Sequence, residues 1–503
     1  MKCRSPFLTV LALFGAGTVS AQSTPIQGPP RLIAQSATPV QASRGGSAQS
    51  FEIVSAIMKE PRKVLIVLPA SYAQSAPGRR YPVTVVLDGE LLLAPVAAVS
   101  DELSRNGQIP ESVIVAIENA GATDRLSADD KRVYDLTPPG LSVSGSGLNE
   151  GGDRFLDFID REVLPAVDRQ FRTAAPRTLI GVSSGAILAT YAAATRPTYC
   201  AVVSLDAPIN LGSGWLAQKL TARAAAGGKP VRYASLEAKF GWPESAWNSL
   251  VATAPGSWRL YREKLPMEGH ETVSMLGAYL GLRQLFADYS RFSPPAGPTT
   301  SILPYYTTVS ASLGAPVLPP KRVLEDVLDD LLGEGRGALA RAAHDMLVFG
   351  YGPPANDAAL AARITEVERR PPAETVESLL ATPFPSPDEA RAFIGEWVGD
   401  VSMRPDAPHT GSTILRLRVV DGRVIGETVL RGEAGEERAM RWDYLKITAA
   451  GMTWGRLNDM RPRGVMLFAG KLEGDTLSGQ AQFGGISLEN PPPPLYFSFK
   501  RAK

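Results

Sequence analysis

From residue 51 onward the chain alternates between two kinds of apolar pattern. Short, unbroken, β-branched runs lie at 82–87 and 112–117, as parallel strands buried on both faces require, and further strand-like stretches follow at 179–182, 200–203 and 231–235. Between them the apolar residues repeat at helical spacing. Residues 91–103 are rich in Ala, Leu and Val, a stripe of Phe155, Phe158, Ile159, Val163, Leu164 and Val167 covers 155–171, and an Ala/Leu-rich run follows 184. Two further runs, 51–57 and 63–68, flank a polar turn and read as a leading pair of strands. A strand over 257–263 and a helix over 272–290 close the series. Strands alternating with helices predict an α/β domain over 50–292, its mostly parallel sheet covered on both faces.

The pattern then changes twice. Pro-rich 293–298 is a break, and beyond it Val323, Leu324, Val327, Leu328 and Leu331 fall on one helical face, with a second helix over 338–348. These predict a helical linker domain over 299–381. A second Pro-rich break at 382–387 precedes short strands over 413–420 and 424–430, joined by Asp421-Gly422, with more strands and Gly turns to the end of the chain. Asp-Gly between two such runs is a hairpin signal, and the whole of 388–503 reads as a small antiparallel barrel or sandwich. Its opening, Phe393-Ile394-Gly395-Glu396-Trp397-Val398-Gly399, resembles the F-x-G-x-W-x-G start of lipocalin-like barrels. Packing or contact with a protein or ligand partner is expected of it rather than a cofactor pocket.

The N-terminus departs from both patterns. Lys2 and Arg4 precede an apolar stretch at 7–19, and Val19-Ser20-Ala21 offers a small-residue cleavage site. This reads as a signal peptide over 1–21, followed by a disordered leader over 22–49, and predicts export to the periplasm or the exterior. No later stretch has the roughly 18–20 consecutive apolar residues of a membrane span. Cys3 would leave with the leader, so Cys200 stands alone at the start of an apolar run and is expected to be a buried, unreactive thiol. A formal net charge of +1 over 503 residues, with no local Lys/Arg run, gives no electrostatic case for nucleic acid. The three histidines, His270, His344 and His409, lie far apart and there is no C-x-x-C, so neither a metal nor a cofactor is expected.

One stretch carries chemistry. Leu179-Ile180-Gly181-Val182-Ser183-Ser184-Gly185 runs from strand pattern to helix pattern through G-x-S-x-G, the arrangement of a nucleophile elbow that holds a serine on a strained turn. Ser183 is the candidate nucleophile. The Ser184 N–H, at the start of the following helix, is one oxyanion donor. The Glu90 N–H, after Leu87-Asp88-Gly89, is the expected second donor. The base should be a downstream histidine after the last strand, and His270, in Glu268-Gly269-His270-Glu271, lies there. The orienting acid is expected after the strand ending at Ser235, which selects Glu237 as the candidate with Glu244 a little further on; a Ser–His pair without an acid is the remaining possibility. Asp206 follows a different strand and reads as pocket wall or strand-end cap.

Several segments together resemble the putative-esterase family of α/β hydrolases, which includes siderophore esterases, feruloyl esterases, S-formylglutathione hydrolase and mycolyltransferases. They are Val86-Leu87-Asp88-Gly89, Tyr134-Asp135-Leu136-Thr137-Pro138, the stretch from Gly152 through Phe158-Ile159-Asp160-Arg161-Glu162-Val163-Leu164-Pro165, the elbow, and Gly269-His270-Glu271-Thr272-Val273. They span about half the chain, and their order is most similar to the siderophore-esterase branch. The resemblance implies an α/β-hydrolase fold, ester hydrolysis, and the nucleophile and base roles for Ser183 and His270. Two departures stand out: Ala186 where the family commonly has a second glycine, and Asp206-Ala207-Pro208 where a Ser-Pro-Ser-like segment is common. The expectation is an exported serine esterase acting on a small-molecule ester. The alternatives are an inactive hydrolase fold serving as a binding or scaffolding protein, and an acyltransferase using the same nucleophile.

Overall fold

The computed structural model describes residues 29–35, 40–41, 47–141, 151–295, 297–369, 376–404, 413–431, 436–449, 451–458, 464–484 and 494–502. The signal-like segment, most of the leader and His409 lie outside them.

The first sheet is built from β1 (Ser47–Ser55), β2 (Glu60–Val67), β3 (Tyr81–Val86), β4 (Val113–Ile117), β5 (Thr173–Val182), β6 (Ala201–Leu205), β7 (Arg232–Glu237) and β8 (Arg259–Lys264). Their order across the sheet is β1-β2-β4-β3-β5-β6-β7-β8. β1 and β2 form the expected hairpin, β2 runs antiparallel to β4, and every later pairing is parallel. Two short strands, Ile33–Ala34 and Val40–Gln41, pair with β1. All five residues of β4 and of β6 are buried, as their unbroken apolar runs required. The chain turns from β3 outward in both directions, to β4 on one side and β5 on the other. That reversal opens a crevice at the carboxyl ends of the strands.

Helices cover both faces. On one, α4 (Ser184–Thr195) and α5 (Trp215–Ala226) share a core with the apolar stripe of 155–167. That stripe is helical over Gly152–Phe158 and Leu164–Gln170, with a π-helical turn, Ile159–Val163, between. The π turn carries Glu162, whose Oε1 accepts the Ala56 and Ile57 N–H groups at 3.0 and 3.2 Å and whose other oxygen bonds the Ser55 hydroxyl. The charge in an otherwise apolar motif therefore ties down the β1–β2 turn. On the other face lie α1 (Gly89–Arg105) and α7 (Val273–Leu285).

The helices after the first Pro-rich break, α8 (Ile302–Leu313), α9 (Lys321–Gly333), α10 (Gly337–Tyr351) and α11 (Asp357–Arg369), bury Tyr306, Leu324, Leu328, Ala343 and Ile364 in the same cluster as Val203, Leu236 and Leu282. The segment set apart in the sequence as a linker thus shares a core with the sheet. Polar ties reinforce it: the Tyr289 hydroxyl donates to the Leu318 carbonyl at 2.8 Å, and the Arg79 guanidinium donates to the Gly350 carbonyl.

The C-terminal strands, β9 (Gly395–Ser402), β10 (Thr413–Val420), β11 (Arg423–Arg431), β12 (Glu437–Arg441), β13 (Tyr444–Thr448), β14 (Gly451–Asn458), β15 (Gly464–Glu473), β16 (Thr476–Gly484) and β17 (Leu495–Arg501), form one antiparallel sheet. Its order is β12-β11-β10-β9-β17-β16-β15-β14-β13, so the first and last strands pair at the centre and the sheet curls on itself. Its inner face is filled by aromatic rings. Trp454 lies 5.4 Å from Trp442 and 5.0 Å from Phe497, and Trp397 is fully buried with its indole N–H on the Phe393 carbonyl at 2.9 Å.

Candidate active site

The elbow forms because β5 must stop and α4 must start within one residue. Ser183 takes φ 55° and ψ −118°, a conformation that costs a non-glycine residue about 1–3 kcal/mol and persists only where the surroundings enforce it. They do so by proximity. A Cβ on Gly181 would lie 2.3 Å from the Gly185 carbonyl oxygen, and one on Gly185 would lie 2.7 Å from the Asp88 carboxylate. The Ser183 N–H donates to the Leu205 carbonyl at 3.0 Å, and its own carbonyl accepts the Ile187 N–H at 3.0 Å. The backbone is fixed on both sides while the residue stays partly exposed.

Val182 pairs with Leu205 on the neighbouring strand, so Asp206 follows β6 directly beside the elbow. Asp206 is also at positive φ, 49°, and is completely buried. Its Oδ1 accepts three successive backbone N–H groups, from Ala238, Lys239 and Phe240, at 2.8, 2.8 and 2.7 Å. Its Oδ2 lies 2.6 Å from Nδ1 of His270. An ionised carboxylate only accepts, so in neutral imidazole the proton belongs on Nδ1 and Nε2 is left as the acceptor. The ring is about a quarter exposed, and the Phe240 ring meets it edge-on at 5.3 Å.

Glu237, the acid expected from the sequence, is not on the histidine. Its strand runs two residues past the expected end at Ser235, so Glu237 is the last residue of β7 and not a loop residue. Its Oε1 accepts from Arg262 Nε at 2.9 Å, the Trp242 N–H at 2.9 Å and the Ser235 hydroxyl at 3.1 Å. Burial works against the Arg262 charge, but the Glu237 carboxylate outweighs it and holds the guanidinium more firmly protonated than usual. Glu244, exposed at the start of α6 (Glu244–Thr253), also pairs with Arg262, at 2.9 Å. The carboxylate brought to His270 is Asp206, the residue read from the sequence as pocket wall or cap. The signal that could have found it was its place immediately after the strand next to the elbow.

Both expected oxyanion donors sit in first helical turns, where backbone N–H groups have no partner inside the helix. Ser184 opens α4 and Glu90 is the second residue of α1. The positive φ at the α1 turn belongs to Asp88, 52°, and not to Gly89. Gly89 is required for a different reason: a Cβ there would lie 2.9 Å from the Ile117 backbone. Asp88 is clamped by Arg132, with Nε–Oδ1 2.6 Å and Nη2–Oδ2 2.9 Å, and by Asn119 at 2.7 Å. Arg132 comes from α2 (Ala128–Leu136). The Glu90 side chain accepts from Asn119 as well, at 2.6 Å. Ala186, the departure at the elbow, is fully buried in the core.

Cys200 is partly buried beside the Arg177 carbonyl, and burial pushes its thiol up. Among the described residues no group of three or more His, Cys, Asp or Glu side chains could hold a metal ion, and no helix is long and apolar enough to cross a membrane.

Residues 55–265 match the family model described as putative esterase. A siderophore triacetylfusarinine C esterase of Aspergillus fumigatus is 33% identical over 143 residues, 27% of this chain and 48% of that protein, so the chain spans about half the length of this curated relative. Among solved structures, an IroE-like serine hydrolase from Shewanella oneidensis is 27% identical, with TM-score 0.47 over 63% of this chain and 99% of that one. The siderophore hydrolase EstB from Aspergillus nidulans is 18% identical, with TM-score 0.40 over 49% of this chain and 96% of that one.

Proposed function

We propose that this protein is a serine carboxylic-ester hydrolase, a reading supported by the match of residues 55–265 to the family model described as putative esterase. The observation that carries the reading is the juxtaposition at the sheet's carboxyl edge: a strained, partly exposed Ser183 beside Asp206, whose free oxygen is on His270 Nδ1. In the proposed reaction Ser183 Oγ attacks the ester carbonyl as its proton passes to His270 Nε2. Asp206 keeps that nitrogen the acceptor and stabilises the imidazolium that forms. The Glu90 and Ser184 N–H groups receive the developing oxyanion. The bond to the alcohol breaks as His270 returns the proton to the departing oxygen. Water, deprotonated by the same nitrogen, then releases the acid from the acyl-enzyme.

The substrate proposed is a siderophore-type ester, supported by the similarity to the siderophore triacetylfusarinine C esterase of Aspergillus fumigatus. The signal-like segment at 1–21 supports export to the periplasm or beyond. The test is labelling by a fluorophosphonate together with turnover of p-nitrophenyl esters, a cyclic siderophore triester and feruloyl esters. Wild-type protein should label and turn over, and Ser183→Ala should do neither. Wild-type protein that neither labels nor hydrolyses any ester would refute the reading.

A further inference from the structure

Beside His270 the structure opens a cavity of about 420 Å³ between the ends of β7 and β8, lined by Asn210, residues 237–243, Arg262, Lys264 and Pro266. It shares a wall with the site. The loop residues 238–240 that fix Asp206 through their N–H groups form one side of the cavity, and Phe240 is the ring that meets the imidazole. A molecule filling the cavity is thus one aromatic ring away from His270.

The charge of the lining is uneven. The one carboxylate in its lining, Glu237, is nearly buried and pairs with Arg262 at 2.9 Å. Arg262 uses its three nitrogens on Glu237, on Glu244 and on the Trp242 carbonyl. This leaves two lysines. The Lys239 ammonium lies 5.3 Å from the Phe240 ring centre, and no ion pair to it is found among the described residues. Lys264 is about two-thirds exposed, with a loose 3.9 Å approach to Glu244. Three cations, Arg262, Lys239 and Lys264, face two carboxylates, Glu237 and Glu244, and the remaining positive charge beside the Phe240 ring suits a planar anion such as a carboxylate or a phenolate.

We infer that this cavity is a specificity subsite that selects esters carrying an anionic group. The inference rests on the esterase reading and deepens it by naming a substrate class. An anion held there gains from both lysines and orients the scissile ester toward Ser183. Each partly exposed pair contributes little, so discrimination of about fivefold is expected from the two together, and salt should weaken it.

The experiment measures kcat/KM for charge-matched pairs: p-nitrophenyl butyrate against mono-p-nitrophenyl succinate, which carries the anion on the acyl side, and phenyl acetate against 4-acetoxybenzoate, which carries it on the alcohol side. The readout is the anionic-to-neutral ratio, corrected for the intrinsic hydroxide lability of each ester, so a general loss of activity cancels. Wild-type protein should favour the anion in one pair by about fivefold at low salt, with the preference collapsing at high ionic strength. Lys239→Ala/Lys264→Ala should bring that ratio near one, and Lys239→Glu/Lys264→Glu should invert it. Turnover of neutral esters without anionic preference in either pair, or a preference that survives both double variants, overturns the subsite while leaving the esterase standing. Absence of turnover of every ester overturns both.

Discussion

Replacing Asp206 by Asn tests which carboxylate serves the histidine. The variant keeps nearly the same shape in a completely buried position, and its carbonyl oxygen can still accept the three N–H groups of residues 238–240. Asp206→Ala would instead leave those donors without a partner, at about 1–3 kcal/mol each, and would confound catalysis with unfolding. In Asp206→Asn the amide NH2 faces His270 Nδ1 across the present 2.6 Å contact. The ring must then present a lone pair at Nδ1 and carry its proton on Nε2, where it cannot take one from Ser183. The same exchange in a Ser-His-Asp enzyme lowers kcat by about 10⁴, which corresponds to about 5.4 kcal/mol of transition-state stabilisation. Steady-state kinetics with p-nitrophenyl butyrate reads this loss, and urea denaturation should show stability within about 2 kcal/mol of wild type. The companion Glu237→Gln removes one of the two carboxylates facing Arg262, whose side chain is 9% exposed. Arg262 keeps Glu244 and the Trp242 carbonyl, so a stability loss of about 1–3 kcal/mol and less than a tenfold loss of kcat are expected. Asp206→Asn retaining kcat within tenfold while Glu237→Gln abolishes it would refute the assignment.

Three further outcomes follow from particular contacts. Gly181→Ala forces a Cβ to 2.3 Å from a backbone carbonyl that cannot yield, so a loss of about 3 kcal/mol in urea denaturation and loss of fluorophosphonate labelling are expected. At Asp288 burial favours the neutral form, but the Arg232 hydrogen bonds and the Arg232 and Arg259 charges prevail and hold the carboxyl below its ordinary value of 3.8. A depressed folded-state pKa gives stability that is present above the ordinary value and lost as pH falls through the folded one. The stability gap between wild type and Asp288→Asn should therefore be full at pH 7, persist to about pH 5 and narrow below about pH 4, as read by denaturation at each pH. A chain ended after Arg369 retains α8–α11, whereas one ended at 292 uncovers Tyr289, which packs on Tyr306 and bonds the Leu318 carbonyl, and strips Arg79 of the Gly350 carbonyl. The first should stay soluble and label with fluorophosphonate, while the second should aggregate on gel filtration.

The local features of this protein were legible because short-range sequence dictates them. Unbroken β-branched runs can only be strands buried on both faces, and β4 and β6 are. A serine between Gly181 and Gly185 needs small neighbours to turn so sharply, and the Ser183 backbone shows that turn. Asp421 at φ 49° and Gly422 at 73° make the hairpin expected of Asp-Gly. The fate of the helices after residue 299 was not legible, because an amphipathic stripe states that a face is buried but not against what.

The acid beside His270 belongs to the same class. Leu205 and Leu236 are paired on neighbouring strands, so Asp206 and Glu237 lie side by side at adjacent strand ends. The sequence by itself pointed to Ser183, to His270 and to a carboxylate after a neighbouring strand. Tertiary structure alone decided between the two acids. Arg262 from β8 captures Glu237, and the three N–H groups of 238–240 converge on one oxygen of Asp206, leaving its other oxygen free for the ring. That choice depends on which donors arrive from other segments, and no spacing along the chain encodes it.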